Sequence, residues 1–219
     1  MIELDPEAYL SWGGNRLIFE HPHDRTKLLK VLKPNHDNSP PRQSFRGRAG
    51  KYTGFIEEIN EYAVLRSRHN NSEPLVAPIH GFAETSLGFG LVVERVSGPD
   101  GNLALTLNDM VRENQMTPEL RASIDELANK LAELHVVVSD FAGRNLVLRP
   151  DGQGFCIIDG LGDPLYFGLR KKSHWLWRLS LERKRKQIQS RISAGKGWKK
   201  RDKRGPRWRE DVDHEKSDA

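Results

Sequence analysis

Asp140 and Asn145 stand five residues apart in Asp140-Phe141-Ala142-Gly143-Arg144-Asn145. An apolar stretch follows, then a Pro150-Asp151-Gly152 turn, then Phe155-Cys156-Ile157-Ile158 leading into Asp159-Gly160. Two carboxylates and an amide are hard oxygen donors. Magnesium takes such ligands and usually keeps only one or two carboxylates from a protein. A glycine after Asp159 lets a carboxylate at a strand end project into a cleft without steric conflict. Oxygen donors in this arrangement suit the binding of a hard cation such as magnesium. Taken singly, Asp140 and Asn145 also read as a turn, since Asp, Gly and Asn are ordinary turn residues. The position of Asp159 at the end of the next strand is what favours the chemical reading.

The elements that must position these groups are legible from periodicity. Residues 8–11, 17–20 and 27–32 read as β-strands, joined by Trp12-Gly13-Gly14-Asn15-Arg16 and by His21-Pro22-His23-Asp24. Residues 33–50 are polar, contain Pro34, Pro40 and Pro41, and read as a loop. Phe55, Ile59, Tyr62 and Leu65 predict a helix over 54–68. Strands are expected at 79–85 and 90–96, turning at Ser86-Leu87-Gly88. Thr117-Pro118 is a helix start, a capping residue followed by Pro, and Leu120, Ile124, Leu127, Leu131 and Leu134 carry the apolar stripe to His135. Leu181, Ile188 and Ile192, with Trp175 and Leu179 as a second apolar row, predict a final segment packed on the body to about residue 192.

Three strands, a helix, two strands, a long helix and then the Asp-x-x-x-x-Asn hairpin resembles the catalytic core of protein-kinase-like folds. The resemblance implies an α+β fold, small and bilobal, with a β-rich N-lobe over 1–96 and a reduced helical C-lobe over 97–192. Residues 193–219 are then a flexible tail, basic and finally acidic. It implies ATP and Mg²⁺ as ligands, with Asp140 orienting the acceptor hydroxyl and Asn145 and Asp159 holding the metal. Lys30 resembles the strand lysine that pairs with the nucleotide phosphates, with Lys27 and Lys33 as competitors. Glu58 falls on the edge of the helical stripe that faces the sheet, where it would hold Lys30, and Glu57 and Glu61 compete for that place. Gly13 and Gly14 resemble the phosphate-covering turn, whose N–H groups can face phosphate oxygens. The full Gly-x-Gly-x-x-Gly pattern is absent, and two glycines between strands also make an ordinary hairpin.

The chain further resembles the YrbL family of the PhoP regulatory network, small bacterial kinase-like proteins of about this length. The resemblance is carried by His21-Pro22-His23-Asp24 before Leu29-Lys30-Val31, by Glu58-Ile59-Asn60-Glu61-Tyr62-Ala63-Val64-Leu65, by Asn145-Leu146-Val147-Leu148 and by Asp159-Gly160-Leu161-Gly162-Asp163. It covers about residues 10–192 and implies a regulatory role in a bacterial signalling network. Departures from the kinase pattern bear on activity. Val138-Ser139 stand where His-Arg would precede Asp140, Ala142 stands where a loop lysine is expected, Gly160 replaces a Phe, and no Ala-Pro-Glu follows Asp163. These favour a phosphotransferase acting on a small molecule, or a nucleotide-binding regulator without turnover, over a peptide kinase. Asp163 itself reads as a solvated loop acid, and His135 as a satisfied core histidine. His21 and His23 invite a metal-site reading, but a polar turn without an acid or Cys cluster is more often solvent-exposed.

Composition narrows the class. Of 219 residues 37% are hydrophobic and 30% charged, the balance of a globular chain, and no run approaches the ~18 apolar residues that span a bilayer. The N-terminus is acidic where a signal peptide would be basic and then apolar. The single cysteine, Cys156, precludes a disulfide framework, which together predicts a cytoplasmic protein. The net charge of +5 is unevenly spread: residues 170–209 hold 17 Lys and Arg against Glu182 and Asp202. Within 196–209, Trp198 and Trp208 interleave with Lys and Arg. That pattern suits single-stranded nucleic acid or an anionic membrane surface, and equally a solubilising tail.

Overall fold

A computed structural model describes residues 1–33, 49–69, 74–98, 100–163 and 169–195. Both the polar loop expected over most of 33–50 and the basic arm at 196–209 with its acidic end lie outside these residues. The first layer is a five-stranded antiparallel sheet in the order β1-β2-β3-β5-β4. Its strands are β1 (Ser11–Trp12), β2 (Arg16–Glu20), β3 (Lys27–Leu32), β4 (Ile79–Thr85) and β5 (Gly88–Glu94). The first strand is shorter and later than its apolar residues suggest. Asp5 and Pro6 begin a turn closed by Ala8 N–H on the Asp5 carbonyl, and pairing starts only with Leu10 N–H on Ile18 O at 2.7 Å.

Alternation along β2 and β3 fixes what each sheet face carries. Leu17, Phe19, Leu29 and Val31 share one face and form a buried cluster with Val92. Lys30 and Leu32 point to the other, where Leu32, Leu91 and Val93 pack with Phe55 of helix α1 (Thr53–Arg68). In register, Lys30 lies between Ile18 on β2 and Leu91 on β5. A lysine is thereby set in the middle of the sheet on the face that the helix covers. The buried stripe of α1 is Phe55, Glu58, Glu61 and Leu65, so two carboxylates sit where the apolar spacing alone would place Ile59 and Tyr62.

The remaining described elements pack around one large core. Helix α2 (Leu107–Arg112) begins with a full capping box between Thr106 and Asp109, worth about 0.5–2 kcal/mol. Helix α3 (Pro118–Glu133) starts at Thr117 as its sequence predicts and buries Ile124, Leu127, Ala128 and Leu131. The hairpin of β6 (Leu146–Leu148) and β7 (Phe155–Ile157) turns at Pro150-Asp151-Gly152, with Gly152 in the left-handed region at φ 69°. A short helix α4 (Leu169–Lys172) leads into α5 (His174–Ser193), which packs on α3. Here the structure corrects the expected face: Trp177, Leu181 and Ile188 are buried, whereas Trp175 is 68% and Leu179 39% exposed. Arg121 on α3 fixes the same interface by donating to Gln189 and Ser193. No helix among the described residues is long and apolar enough to cross a membrane.

Candidate functional site

Four charged side chains meet where the sheet, α1 and the loop after β7 converge. Lys30 Nζ donates to Glu58 Oε2 at 3.0 Å, to the Ile158 carbonyl at 2.7 Å and to Asp159 Oδ1 at 3.3 Å. Arg16, at the start of β2, donates through Nη1 to Glu58 Oε1 and, at 2.8 Å, to Asp159 Oδ1. Glu58 is 1% and Lys30 5% exposed, and the Asp159 side chain is open to 36%. Buried charges persist only when paired and hydrogen-bonded, and this group is both. The rival lysines are engaged elsewhere: Lys27 pairs with Asp24, and Lys33 donates to the Gly14 carbonyl. So are the rival glutamates. Glu57 meets Lys171 and the Asp163 N–H, and Glu61 accepts from the Val137 N–H at 2.8 Å.

The electrostatics follow from that packing. Burial would raise the Asp159 carboxyl, but Lys30 and Arg16 hold it well below the usual carboxylate range. Burial pushes Glu58 upward, with Asp159 adding to the push and Lys30 and Arg16 opposing it. Burial lowers the Arg16 guanidinium, and Glu58 and Asp159 outweigh it to leave the group raised. Asp159 is therefore the ionised, partly open carboxylate of the set.

Asp140 and Asn145 adjoin this group through the glycine loop. Asn145 Nδ2 donates to the backbone carbonyl and to Oδ2 of Asp140, both at 2.9 Å, which turns its amide oxygen away as a possible donor to a cation. Arg144 also donates to Asp140 Oδ2 at 2.5 Å, and the Asp140 side chain is 40% exposed. Gly160, at φ 88°, explains the Asp159-Gly160 pair: a Cβ there would lie 2.8 Å from Asp140 Cβ and 3.3 Å from Asn145 Nδ2. Only a glycine lets the two carboxylate-bearing loops approach this closely. Asp159 and Asn145 supply hard oxygens of the kind Mg²⁺ takes. Among the described residues no group of three or more His, Cys, Asp or Glu is placed to hold an ion. One carboxylate and one amide oxygen make a donor set that fits a metal drawing most of its shell from phosphate and water.

The other residues singled out by the sequence take these places, and Asp163 alone departs from its reading. Gly13 and Gly14 form a hairpin turn closed by Gly13 N–H on Arg16 O at 2.7 Å, and a Cβ on Gly14 would meet nothing within 4 Å. Asp163 is not solvated: it is 3% exposed, accepts from the Arg170 N–H at 3.2 Å and has the Arg170 guanidinium 3.7 Å away. His135 is half-buried, with Nε2 2.9 Å from the Arg170 carbonyl. His21 and His23 lie edge to face in their turn, where His21 Nδ1 accepts the His23 N–H. Two cations escaped sequence reasoning altogether. Arg16 had only its place beside a hairpin to mark it. Lys184, on α5, reaches the Ser139 carbonyl, and burial together with Arg170 and Arg144 lowers its ammonium below the usual value.

Comparison with known proteins supplies the frame for this geometry. The sequence profile of a family described as PhoP regulatory network protein YrbL matches residues 2–193. A search of curated proteins gives no match. Among solved structures, the fold is similar to a cysteine-to-alanine mutant of the Mycobacterium tuberculosis PknI kinase domain, with a TM-score of 0.54 and 15% identity over 90% of this chain and 76% of that one. It is also similar to Rad53 1-466 in complex with AMP-PNP, with a TM-score of 0.51 and 12% identity over 85% of this chain and 46% of that one. The protein thus has a protein-kinase-like fold.

Proposed function

The chain belongs to the YrbL family of the PhoP regulatory network, and from that premise we propose that it is a kinase-like regulatory protein that binds ATP and Mg²⁺ in the cleft lined by Lys30, Glu58 and Asp159. The observation that carries this reading is the convergence on one point of a buried Lys–Glu pair and an ionised, partly open carboxylate. A lysine fixed by a buried glutamate is a pre-set phosphate partner. Asp159 and the Asn145 amide oxygen would hold the metal, which supplies charge neutralisation for the phosphates when bound. The Gly13-Gly14 turn, which leads into Arg16, would cover the phosphates.

The reaction this arrangement supports is phosphoryl transfer to the hydroxyl of a small acceptor. Asp140 orients that hydroxyl and accepts its proton, and Asn145 fixes Asp140 through its two hydrogen bonds. A second reading, nucleotide binding without turnover, is favoured by one specific observation. Both chemistry-bearing carboxylates are already paired with arginines, Asp140 with Arg144 and Asp159 with Arg16. The deciding experiment is thermal denaturation and ATP consumption of wild type and Asp159→Asn with ATP·Mg²⁺. Wild type is expected to be stabilised and Asp159→Asn to lose most of that stabilisation while remaining folded. Equal shifts for both proteins would remove Asp159 from the site, and no ATP consumption by wild type would select the second reading.

A further inference from the structure

The charged group at this site holds two cations, Lys30 and Arg16, against two carboxylates. With Lys30 alone, Glu58 and Asp159 would leave the group at a net charge of −1, repulsive to phosphate until a metal arrived. Arg16 brings it to zero. Its place is built into the fold. The guanidinium carbon lies 4.7 Å from the centroid of the buried Phe55 ring, and a Cβ on Gly54 would come within 3.0 Å of Arg16 Nη2. The side chain is 18% exposed, so it is held against α1 yet still reached by solvent. Nη1 alone makes both carboxylate contacts, and among the described residues neither Nε nor Nη2 has a hydrogen-bond partner. An Arg fork with an unused edge is suited to paired contacts with phosphate oxygens.

We propose that Arg16 is a phosphate-binding residue and that Arg16 and Lys30 together let this cleft bind the polyphosphate of a nucleotide without a divalent cation. This rests on the nucleotide reading above and goes beyond it, because the metal becomes an addition to the site rather than its precondition. Arg16 neutralises Asp159 when no metal is present, and its free edge takes the phosphates. Asp159 is the residue that would hold a metal, which would supply that neutralisation in place of Arg16.

The test is isothermal titration of the full chain with ATP, once in EDTA and once in Mg²⁺, for wild type, Arg16→Gln and Arg16→Lys. Wild type is expected to bind ATP in EDTA with an affinity within about tenfold of that in Mg²⁺. Arg16→Gln is expected to weaken binding in EDTA about ten- to a hundredfold, the loss of a charge-assisted contact, and to change binding in Mg²⁺ much less. Arg16→Lys retains the charge and folds with Glu58 still paired, and is expected to fall between the two. Wild type binding only with Mg²⁺, or Arg16→Gln binding as tightly as wild type in EDTA, overturns the proposal and leaves the nucleotide reading intact. No ATP binding by wild type in either buffer overturns the nucleotide reading itself.

Discussion

Lys184 on α5 donates to the backbone carbonyl of Ser139, the residue immediately before Asp140. Helix α5 thus braces the loop that carries Asp140. Lys184→Met is expected to raise hydrogen exchange across residues 139–145 and to lower Tm, while stabilisation by ATP persists because Lys30 and Asp159 are untouched. Unchanged exchange in that loop would show that the contact does not brace it.

The buried Lys30–Glu58 pair sets a second expectation. Removing one partner of such a pair typically costs about 3–5 kcal/mol. Glu58→Gln should fall at the lower end, since Asp159 remains for Lys30 and Arg16 to pair with. Urea unfolding should show this loss, and only a small one for Glu57→Gln, whose side chain is 22% exposed. The double change Lys30→Met with Glu58→Met should recover much of the stability.

The same pair shows how far sequence reasoning reached. Lys30 and Glu58 were legible because a strand and a helix with opposed periodicities leave few ways to aim them. The helix start at Thr117-Pro118 and the β6–β7 hairpin were legible from local signals, and α1 from its apolar spacing over 54–68. Arg16 and Lys184 were not, because each acts on a residue far away in the chain, and a lone cation on a polar segment has no local signature. Asp163 was misjudged because one of its contacts comes from α1, 106 residues earlier, and the other from Arg170, whose turn back toward it has no local signature. Trp177 shares a four-residue spacing with Leu181, but Trp175 shares the same spacing with Leu179, and only packing on α3 decides between the two rows. Helix α2 did have a signal, the Thr106–Asp109 capping box, on too short a segment to show periodicity.

Asp140 offers a test of roles. If it serves the acceptor, Asp140→Ala should leave ATP affinity unchanged and reduce turnover by ~10²-fold or more. Calorimetry alongside an ATP-consumption assay separates the two quantities. A matching fall in affinity would move Asp140 to the metal.

Burial pushes the Cys156 thiol up to about 12. The folded value exceeds the ~8.5 of an unfolded cysteine, so the stability contributed by the neutral thiol is complete below about pH 8.5 and declines as pH rises toward 12. A thiol reagent at pH 8 should leave the native protein unmodified and label it once in urea. Labelling at equal rates in both states would contradict that burial.

The basic arm is best tested by removal. Ending the chain at Gly195 keeps all of α5. Any binding of the full chain to single-stranded oligonucleotides or anionic vesicles should then vanish, and before removal should weaken steeply with added salt. Equal binding by both forms would locate the anionic contact elsewhere.

One turn and a little more of α1 carries Glu57, Glu58 and Glu61; Glu57 and Glu61 share Lys171, and each of the three also has a contact of its own. Glu58 holds the sheet through Lys30, Glu61 holds the Val137 backbone, and Glu57 holds Lys171 and the Asp163 N–H. At Gly162 the fit is so close that a Cβ would lie 2.7 Å from that of Glu57. Parting the two halves of the molecule must therefore break either the Glu58 contacts or those of its two neighbours. A hinge between the sheet and the core is thereby pinned by carboxylates that lie about one turn apart on a single helix.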